Sequence, residues 1–561
     1  MSKIREYHDL CTALFAEADK DRSIWEPVVR KVMPQLVSAA NLEDNQGKSW
    51  EKRRICSRAH MDILKLASSG MSYIYPMGHR WFRFAPWYKD RDADSAMEAQ
   101  EWYNNATDTA HAEIERSNFY TEMSAASIDR CATGTALMLA ELDPAEGMLV
   151  FTHVPVGTFG LGFDAQRNIS TVARKFLMTP AQLVEEFGWE NLTESMRHDF
   201  DRLEDRYTKE REIWHLVTPR YPMSEVPRQY DLAPEQRPYA DIYMPADEPH
   251  ILKEGGHHEM PFMATRFTRF GNQVFGSSPL LGISDTIDDL MAANDVVKLL
   301  GERAAMPSVV LPADMEGEVD MRAGGVTLLP IQYINANVPR EFAPIGNYQI
   351  ALDQVKRLEE EIDDATYVSV LQIISNTDRY MTATEVTSRE SEKIMTFTSA
   401  FTQLQADFRP MANRIFALLV RAGKIDMQDA PPEVLGARVY RGETQAYVMP
   451  PQLAFIGRMS QAMDRVQSNS AMAWMGSQLQ IQSATQDPMY TAIINAEAWS
   501  RGEAEKHGVD PRYLRSHAEV KKDMEALAAR ANQQQQAAMA VERARAERDL
   551  AGAENLRKQY Q

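Results

Sequence analysis

Cysteine is scarce in this chain. Three residues, Cys11, Cys56 and Cys131, stand far apart in 561 positions, with no CxxC among them. An odd, scattered set excludes a disulfide scaffold and points to a reducing compartment. Long apolar runs are also missing. The Phe416–Val420 run has five residues, against the ~18 or more that a membrane-spanning helix needs. The opening MSKIREYHDL has no apolar core, so no secretory leader is expected. Basic charge is in deficit: 61 Lys and Arg against 80 Asp and Glu leave a net charge of −19. That balance excludes a protein that grips nucleic acid over its whole surface. It permits one that lets nucleic acid slide past. Hydrophobic residues at 44% and charged residues at 25% are ordinary for globular chains, which rules out disorder throughout.

Enzyme signatures fail on their own chemistry. Gln46-Gly47-Lys48-Ser49 resembles the end of a phosphate loop, but Leu42 stands where the first glycine must be. Gly160–Ala165 fits a relaxed dinucleotide pattern, yet Ile169–Leu177 after it reads as a strand. No helix N-terminus follows to hold a pyrophosphate, so a glycine-rich turn is expected there. His257-His258-Glu259 lacks the HExxH spacing that puts two imidazoles on one helix face, and it reads as a polar loop. No GxSxG occurs, and no carboxylates pair into an acid–base dyad. Catalysis, a metal and a cofactor are therefore not expected.

Residues 1–130 read as helical. Leu10, Leu14, Trp25, Val28, Val29, Val32 and Leu36 recur at helical spacing, and Pro34 and Asn41–Gly47 break the pattern. Met61–Tyr75 and Ala93–Arg116 are further helices. Lys52-Arg53-Arg54 with Arg58 forms a small basic patch, either a solvated helix face or a contact to nucleic acid or a partner. From 131 to 275 the character changes. Thr135–Glu141, Met148–Val154, Ile169–Leu177 and Glu212–Thr218 read as strands, and Thr179–Gly188 as a capped short helix. The proline-rich stretch 219–261 reads as irregular.

The strongest pattern lies in 278–425. Ser278-Pro279 is a cap followed by proline, and Ile283, Ile287, Leu290, Asn294, Val297, Gly301 and Ala304 follow in alternating steps of four and three. This predicts a ~27-residue helix of ~40 Å ending near Met306. Short strands such as Ser308–Leu311 and Gly325–Leu329 follow. A second helix is predicted from Tyr348 to Ile374. It carries Asp353, Glu359, Glu360, Glu361, Asp363 and Asp364 against only Lys356 and Arg357. After the polar break Ser375–Met381, Thr382 and Glu385 form a capping box. Ile394, Phe397, Phe401, Leu404, Phe408, Met411, Ile415, Leu418 and Ala422 then predict a helix of ~40 residues, ~60 Å long. Pro410 cannot donate to Ala406, so a kink is expected there. Residues 426–485 look mixed, with a strand near Ala437–Arg441. Asp510-Pro511 opens a last alanine-rich helical region whose tail is either disordered or held by a partner.

Two long helices with narrow apolar stripes and acidic faces suit side-by-side copies better than a compact monomer. Such copies would close a ring around a polar tunnel. At this point the chain resembles the portal, or head-to-tail connector, proteins of short-tailed double-stranded DNA phages. The resemblance rests on Arg80-Trp81-Phe82 after Leu66–Gly70, and on Ser117-Asn118-Phe119-Tyr120 before Gly134-Thr135. It continues in Val154-Pro155, Phe275-Gly276-Ser277-Ser278-Pro279 and Met381–Val386, and in the glutamine-rich tail after Gly508–Pro511. Ser277 stands where the family has a basic residue.

The resemblance implies an α+β, mainly helical, portal-type fold with these parts: an α/β wing (1–275), a stem of two helices (278–306 and 348–374), a small β-containing clip (307–347), a tunnel loop (375–381), a long kinked wing helix with its following segment (382–489), and a helical crown and tail (490–561). It implies a ring of about twelve copies at one capsid vertex. Double-stranded DNA would pass through it, and the partners would be the large terminase, major capsid and scaffolding proteins, a tail adaptor and internal core proteins, with no membrane. It places Ser375, Asn376, Thr377, Asp378, Arg379 and Tyr380 toward DNA, and Glu359, Glu360, Asp363 and Asp364 along the channel. Arg379 would meet either DNA or a neighbouring subunit's carboxylate. A helical scaffold or internal virion protein, and a metal-dependent nuclease using the acidic clusters, are the rival readings.

Overall fold

The computed structural model describes residues 2–40, 54–86, 93–221, 232–305, 308–310, 340–342, 348–368, 383–427, 430–431, 434–440, 443–448, 450–456 and 472–484, with isolated positions between 499 and 548. In chain order the elements are α1 (Ser2–Val32), α2 (Pro34–Ala39), α3 (Ser57–Ile74), β1 (Phe82–Ala85), α4 (Ala93–Arg116), α5 (Phe119–Thr133), β2 (Thr135–Leu142), β3 (Leu149–Val154), β4 (Phe159–Phe163), β5 (Ile169–Met178), α6 (Pro180–Phe187) and α7 (Glu194–Asp201). There follow β6 (Arg211–Pro219), β7 (Tyr239–Pro245), β8 (Lys253–His257), β9 (Phe262–Arg266), α8 (Ser284–Ala305), β10 (Ser308–Val310), β11 (Arg340–Phe342), α9 (Tyr348–Ala365), α10 (Ala383–Arg421), β12 (Leu435–Tyr440), β13 (Glu443–Val448) and β14 (Gln452–Phe455). The class is α+β.

The chain forms two compact units. The first comprises 1–81, 109–425 and 438–447; the second comprises 82–108, 426–437 and 448–561.

In the first unit a five-stranded antiparallel sheet runs β4-β5-β6-β7-β8. Alternation along β6 sends Trp214 and Leu216 to one face, where Cys11 and Phe15 of α1 join them, and Ile213 to the other, against Leu183, Phe187 and Met196. Gly160 and Gly162 lie within β4, not in a turn. A Cβ at Gly160 would come within 2.7 Å of the Leu14 backbone, so the glycine lets α1 lie directly on the strand. Within the 219–261 stretch the structure forms β7 and β8, while residues 222–231 lie outside the described residues. Pro219 and Pro245 end strands, Pro234, Pro238, Pro249 and Pro261 stand outside them, and Tyr239–Pro245 alternates half-buried and buried as a sheet strand should. The cap at Thr179 forms as the sequence predicts: its N–H donates to Gln182 Oε1 at 2.9 Å, and Gly188 closes the helix.

A second sheet, β3-β2-β9, has β2 at its centre. Residues 135–140 are buried without alternation, because both α5 and α10 pack on this sheet. Asn118 explains its motif: Phe151 N–H donates to Asn118 Oδ1 (2.8 Å), and Asn118 Nδ2 donates to the Phe151 carbonyl (2.7 Å). With Glu122 accepting from His153 N–H at 2.8 Å, α5 side chains satisfy the outer edge of β3. Trp81, of the Arg-Trp-Phe motif, is fully buried among Tyr75, Phe119 and Phe408.

His257 ends β8 and Glu259 is ion-paired, so that stretch is not a solvated loop. The Glu259 carboxylate accepts from Arg421 at 2.7 and 2.8 Å and from buried Arg414 at 3.1 Å. Those pairs tie α10 to the five-stranded sheet's connecting turn. The long helix spans 39 residues and runs on through Pro410. Leu404, Phe408, Met411, Ile415 and Leu418 of its stripe are buried; the side chains of Ile394, Phe397 and Phe401 lie outside the described residues.

In the second unit β1 pairs antiparallel with β14, Phe84 opposite Leu453. Phe84 N–H donates to Thr107 Oγ1 at 3.0 Å. The sequence reading contained neither strand.

Candidate functional site

The paired helices α8 and α9 are the feature the sequence marked most strongly, and their base is held by three kinds of contact. The first is a crossing of two backbones. Gly134 has φ +96°, and a Cβ on it would sit 2.4 Å from the Gly276 carbonyl oxygen. A Cβ on Gly276 would sit 2.2 Å from the Gly134 carbonyl oxygen. Only two glycines permit this approach. The Thr135 hydroxyl accepts from Gly276 N–H at 2.7 Å, and Ser278 Oγ donates to the Cys131 carbonyl at 2.7 Å. The motifs at 134–135 and 275–279 are thus two halves of one joint.

The second is the cap. Ser278 Oγ accepts from Leu280 N–H at 3.1 Å with Pro279 behind it, as the sequence predicts. The turn it opens, Pro279–Ile283, is 3₁₀, and the α-helix begins only at Ser284. The predicted single helix is therefore two segments.

The third is a set of ion pairs from the N-terminal helices. Lys31 Nζ meets both Asp288 oxygens at 2.7 Å, Arg54 pairs with Asp295, and Arg58 Nε donates to Asp363 at 2.6 Å. Arg54 and Arg58 thus pair with α8 and α9 within the chain, and Lys52 and Arg53 of the same patch lie outside the described residues. Asp62 lies beside Asp363 and is fully buried, 3.0 Å from Lys65 and 3.4 Å from Arg58. Burial first, and the Asp363 carboxyl second, push Asp62 above the usual carboxylate range. A cleft of about 250 Å³ adjoins these pairs, lined by Arg54, Cys56, Arg58, Leu290, Asn294 and Glu359 among others.

Beside them a buried pair anchors α10 to β9. Arg266 donates from its backbone N–H to Asp407 Oδ2 (2.8 Å) and from its guanidinium to Oδ1 (2.7 Å). Both residues are buried.

The predicted site residues fall as follows. Glu359 and Asp363, one turn apart, are half-buried on the flank of α9 that faces the cleft and Arg58. Glu360 and Asp364 are exposed on the adjoining ridge. The predicted acidic face is thus divided between a structural half and a solvent half. Helix α9 ends at Ala365, where Thr366 and Tyr367 make a turn with Tyr367 at φ +60°; Val368 is helical again, and the rest of the predicted helix, 369–374, lies outside the described residues. Ser375, Asn376, Thr377, Asp378, Arg379, Tyr380 and Thr382 lie outside the described residues, as does the Glu385 side chain within α10. The Ser308–Val310 strand forms and pairs with Arg340–Phe342; the predicted Gly325–Leu329 strand lies outside the described residues.

Sequence reasoning missed the Gly134–Gly276 contact, Arg58–Asp363 and Arg266–Asp407. Both glycine motifs are visible in the chain, but nothing local says that they touch.

Toward the far end of the helical pair the apolar surface is uncovered. Ile287, Leu290, Val355, Leu358 and Ile362 are buried, whereas Val296, Leu299, Tyr348 and Ile350 are exposed. Among the described residues no three His, Cys, Asp or Glu side chains cluster to hold a metal ion, and no helix is long and apolar enough to cross a membrane. A mixed α/β body that carries a half-covered helical pair has the build of an assembly protein. The chain belongs to the bacteriophage head to tail connecting protein family, whose model matches residues 8–514. It is 22% identical over 511 residues to a probable portal protein of Bordetella phage BPP-1, covering 89% of this chain and 87% of that one. It is 23% identical over 418 residues to a portal protein of Salmonella phage epsilon15, covering 73% and 71%.

Proposed function

We propose that this chain is a phage portal protein. About twelve copies form a ring at one vertex of the capsid; double-stranded DNA enters and leaves through it, and the large terminase and later a tail adaptor dock on it. Major capsid, scaffolding and internal core proteins meet its outer and inner rims, in a virion assembled in the host cytoplasm. The observation that carries this reading is the family membership over nearly the whole chain. The half-covered pair α8–α9 supports it, since neighbouring copies would bury the exposed Val296, Leu299, Tyr348 and Ile350.

On this reading residues 1–275 are most of the wing, 278–306 and 348–374 the stem, 307–347 the clip, 375–381 the tunnel loop, 382–489 the remaining wing with a kink at Pro410, and 490–561 the crown. Glu360 and Asp364 line the channel, while Glu359 and Asp363 fasten stem to wing. Duplex DNA carries one charge per ~1.7 Å of axis, so a basic lining would hold it and an acidic one leaves it free to slide. Arg379 supplies one weak contact per subunit, because exposed ion pairs are worth about 0–1 kcal/mol. Transport energy comes from the motor's nucleotide hydrolysis.

The test is solution mass and electron microscopy of purified protein. Rings of about twelve subunits with a central hole are expected. A stable 63.6 kDa species under all conditions overturns the reading.

A further inference from the structure

Residues 466–486 contain no Asp, Glu, Lys, Arg or His, the longest stretch without Asp, Glu, Lys or Arg in a chain that is 25% charged. Residues 472–484 within it are helical. Their apolar side chains face solvent: Met472 is 45% exposed, Trp474 46%, Leu479 50% and Ile481 38%. Tertiary burial of apolar side chains normally sustains a helix in a folded protein. Within the chain that burial is slight, so the covering surface must come from elsewhere.

The arrangement of these residues says what kind of surface. At about 100° per residue, exposed Met472 and Leu479 form one stripe and exposed Trp474 and Ile481 a second, roughly 160° away around the helix. On one side between them lie half-buried Met475, Gln478 and Gln482, and on the other the small and polar Ala473, Gly476, Ser477, Gln480 and Ala484. A single groove would need one stripe. Two stripes on opposite flanks suit a helix with a neighbour on each side. In a closed ring of about twelve equal helices each meets its two neighbours in directions about 150° apart, near the observed spread. The lack of charge fits the same arrangement. Copies that each carry −19 repel, and they approach most easily through an element with no charge. Glutamine amides both donate and accept, so identical copies can satisfy one another. Gly476 adds an independent sign. It costs a helix interior roughly 1 kcal/mol relative to Ala, yet no atom of the described residues lies within 4 Å of where its Cβ would be, so none of them requires it.

We infer that helix 472–484 is a subunit–subunit contact in which the Met472/Leu479 stripe of one copy packs on the Trp474/Ile481 stripe of the next. The inference rests on the ring reading above and adds a second contact, separate from α8–α9.

The experiment uses the full chain. Leu479→Glu and Trp474→Glu each place a charge on one stripe. Both should convert rings to single chains in native mass measurements, with the far-ultraviolet spectrum and single-chain melting unchanged, because these side chains are exposed. The second arm is cross-linking. Cys11, Cys56 and Cys131 are buried, so Leu479→Cys with Ile481→Cys adds the accessible thiols. A short bis-maleimide should yield a ladder of covalent multimers from the double variant, and at least fivefold less from either single variant. Rings of unchanged mass in both glutamate variants, or rings of the double-cysteine chain that give no ladder, overturn this contact and leave the portal reading intact. Wild-type protein that never assembles overturns both.

Discussion

Replacing Gly134 by alanine adds one methyl group where the backbone has no room. The residue sits at φ +96°, and the new Cβ would lie 2.4 Å from the Gly276 carbonyl oxygen and 2.6 Å from Ser278 N. Holding a non-glycine residue in left-handed conformation costs roughly 1–2 kcal/mol. Overfilling a packed site costs about 1–3 kcal/mol more. No rotamer relieves this clash, since both contacts are backbone atoms. Gly134→Ala should therefore lose roughly 2–5 kcal/mol of the ~5–15 kcal/mol that stabilise a typical domain. Gly276→Ala strikes the same crossing from the other side, so the double variant should cost less than the sum of the two. Gly70→Ala is the control: it lies in α3 with nothing within 4 Å of its Cβ position, and should be neutral or gain up to ~1 kcal/mol. The assay is denaturant unfolding followed by tryptophan fluorescence, with ring yield measured alongside. Ring yield should fall with Gly134→Ala, because the crossing sets Ser278 and so the start of α8. If Gly134→Ala unfolds at the wild-type midpoint, or moves it no more than Gly70→Ala does, the joint is not what holds the base of the helical pair.

Asp407→Ala should cost roughly 3–5 kcal/mol, because it leaves Arg266 buried and uncompensated; Arg266→Met with Asp407→Leu should cost less, as thermal unfolding of the three variants will show. Stability should also fall on acidification through histidine. Burial, and secondarily Arg174, lower His215 to about 4 despite the Asp241 bond, and burial likewise lowers His258 to about 4. Between pH ~6.5 and ~4 the unfolded chain binds protons that these folded imidazoles do not, so unfolding becomes easier as pH drops through that window. His258→Gln should flatten part of the slope in a pH series of unfolding midpoints; an unchanged slope refutes the assignment. Glu360→Lys with Asp364→Lys should leave rings intact on electron microscopy and slow DNA packaging in vitro, whereas packaging at the wild-type rate means that these carboxylates only solvate an outer face. Arg379→Ala should keep rings and shorten or weaken retention of packaged DNA; full-length, fully retained DNA speaks for a subunit contact instead.

What the sequence by itself determined about this protein is its local order. Apolar spacing marked α1, α8 and α10, and the Thr179 and Ser278 caps lie where hydroxyl, proline and glycine placed them, because both signals act over three or four residues. Short motifs in order pointed to the connector family for the same reason: each is a local string. Tertiary structure alone decided the rest. Gly160 looked like a turn because its use, an approach of Leu14 from 146 residues earlier, leaves no local trace. The 219–261 stretch hid β7 and β8 because Pro238, Pro245, Pro249 and Pro261 crowd the strand ends, and only the neighbouring strands reveal the pairing between them. The acidic ridge of α9 read as one surface until Arg58, 305 residues before Asp363, claimed half of it. Long-range pairs are chosen by whichever partners folding brings within a few ångströms, and a single sequence records the charges without recording which of them meet.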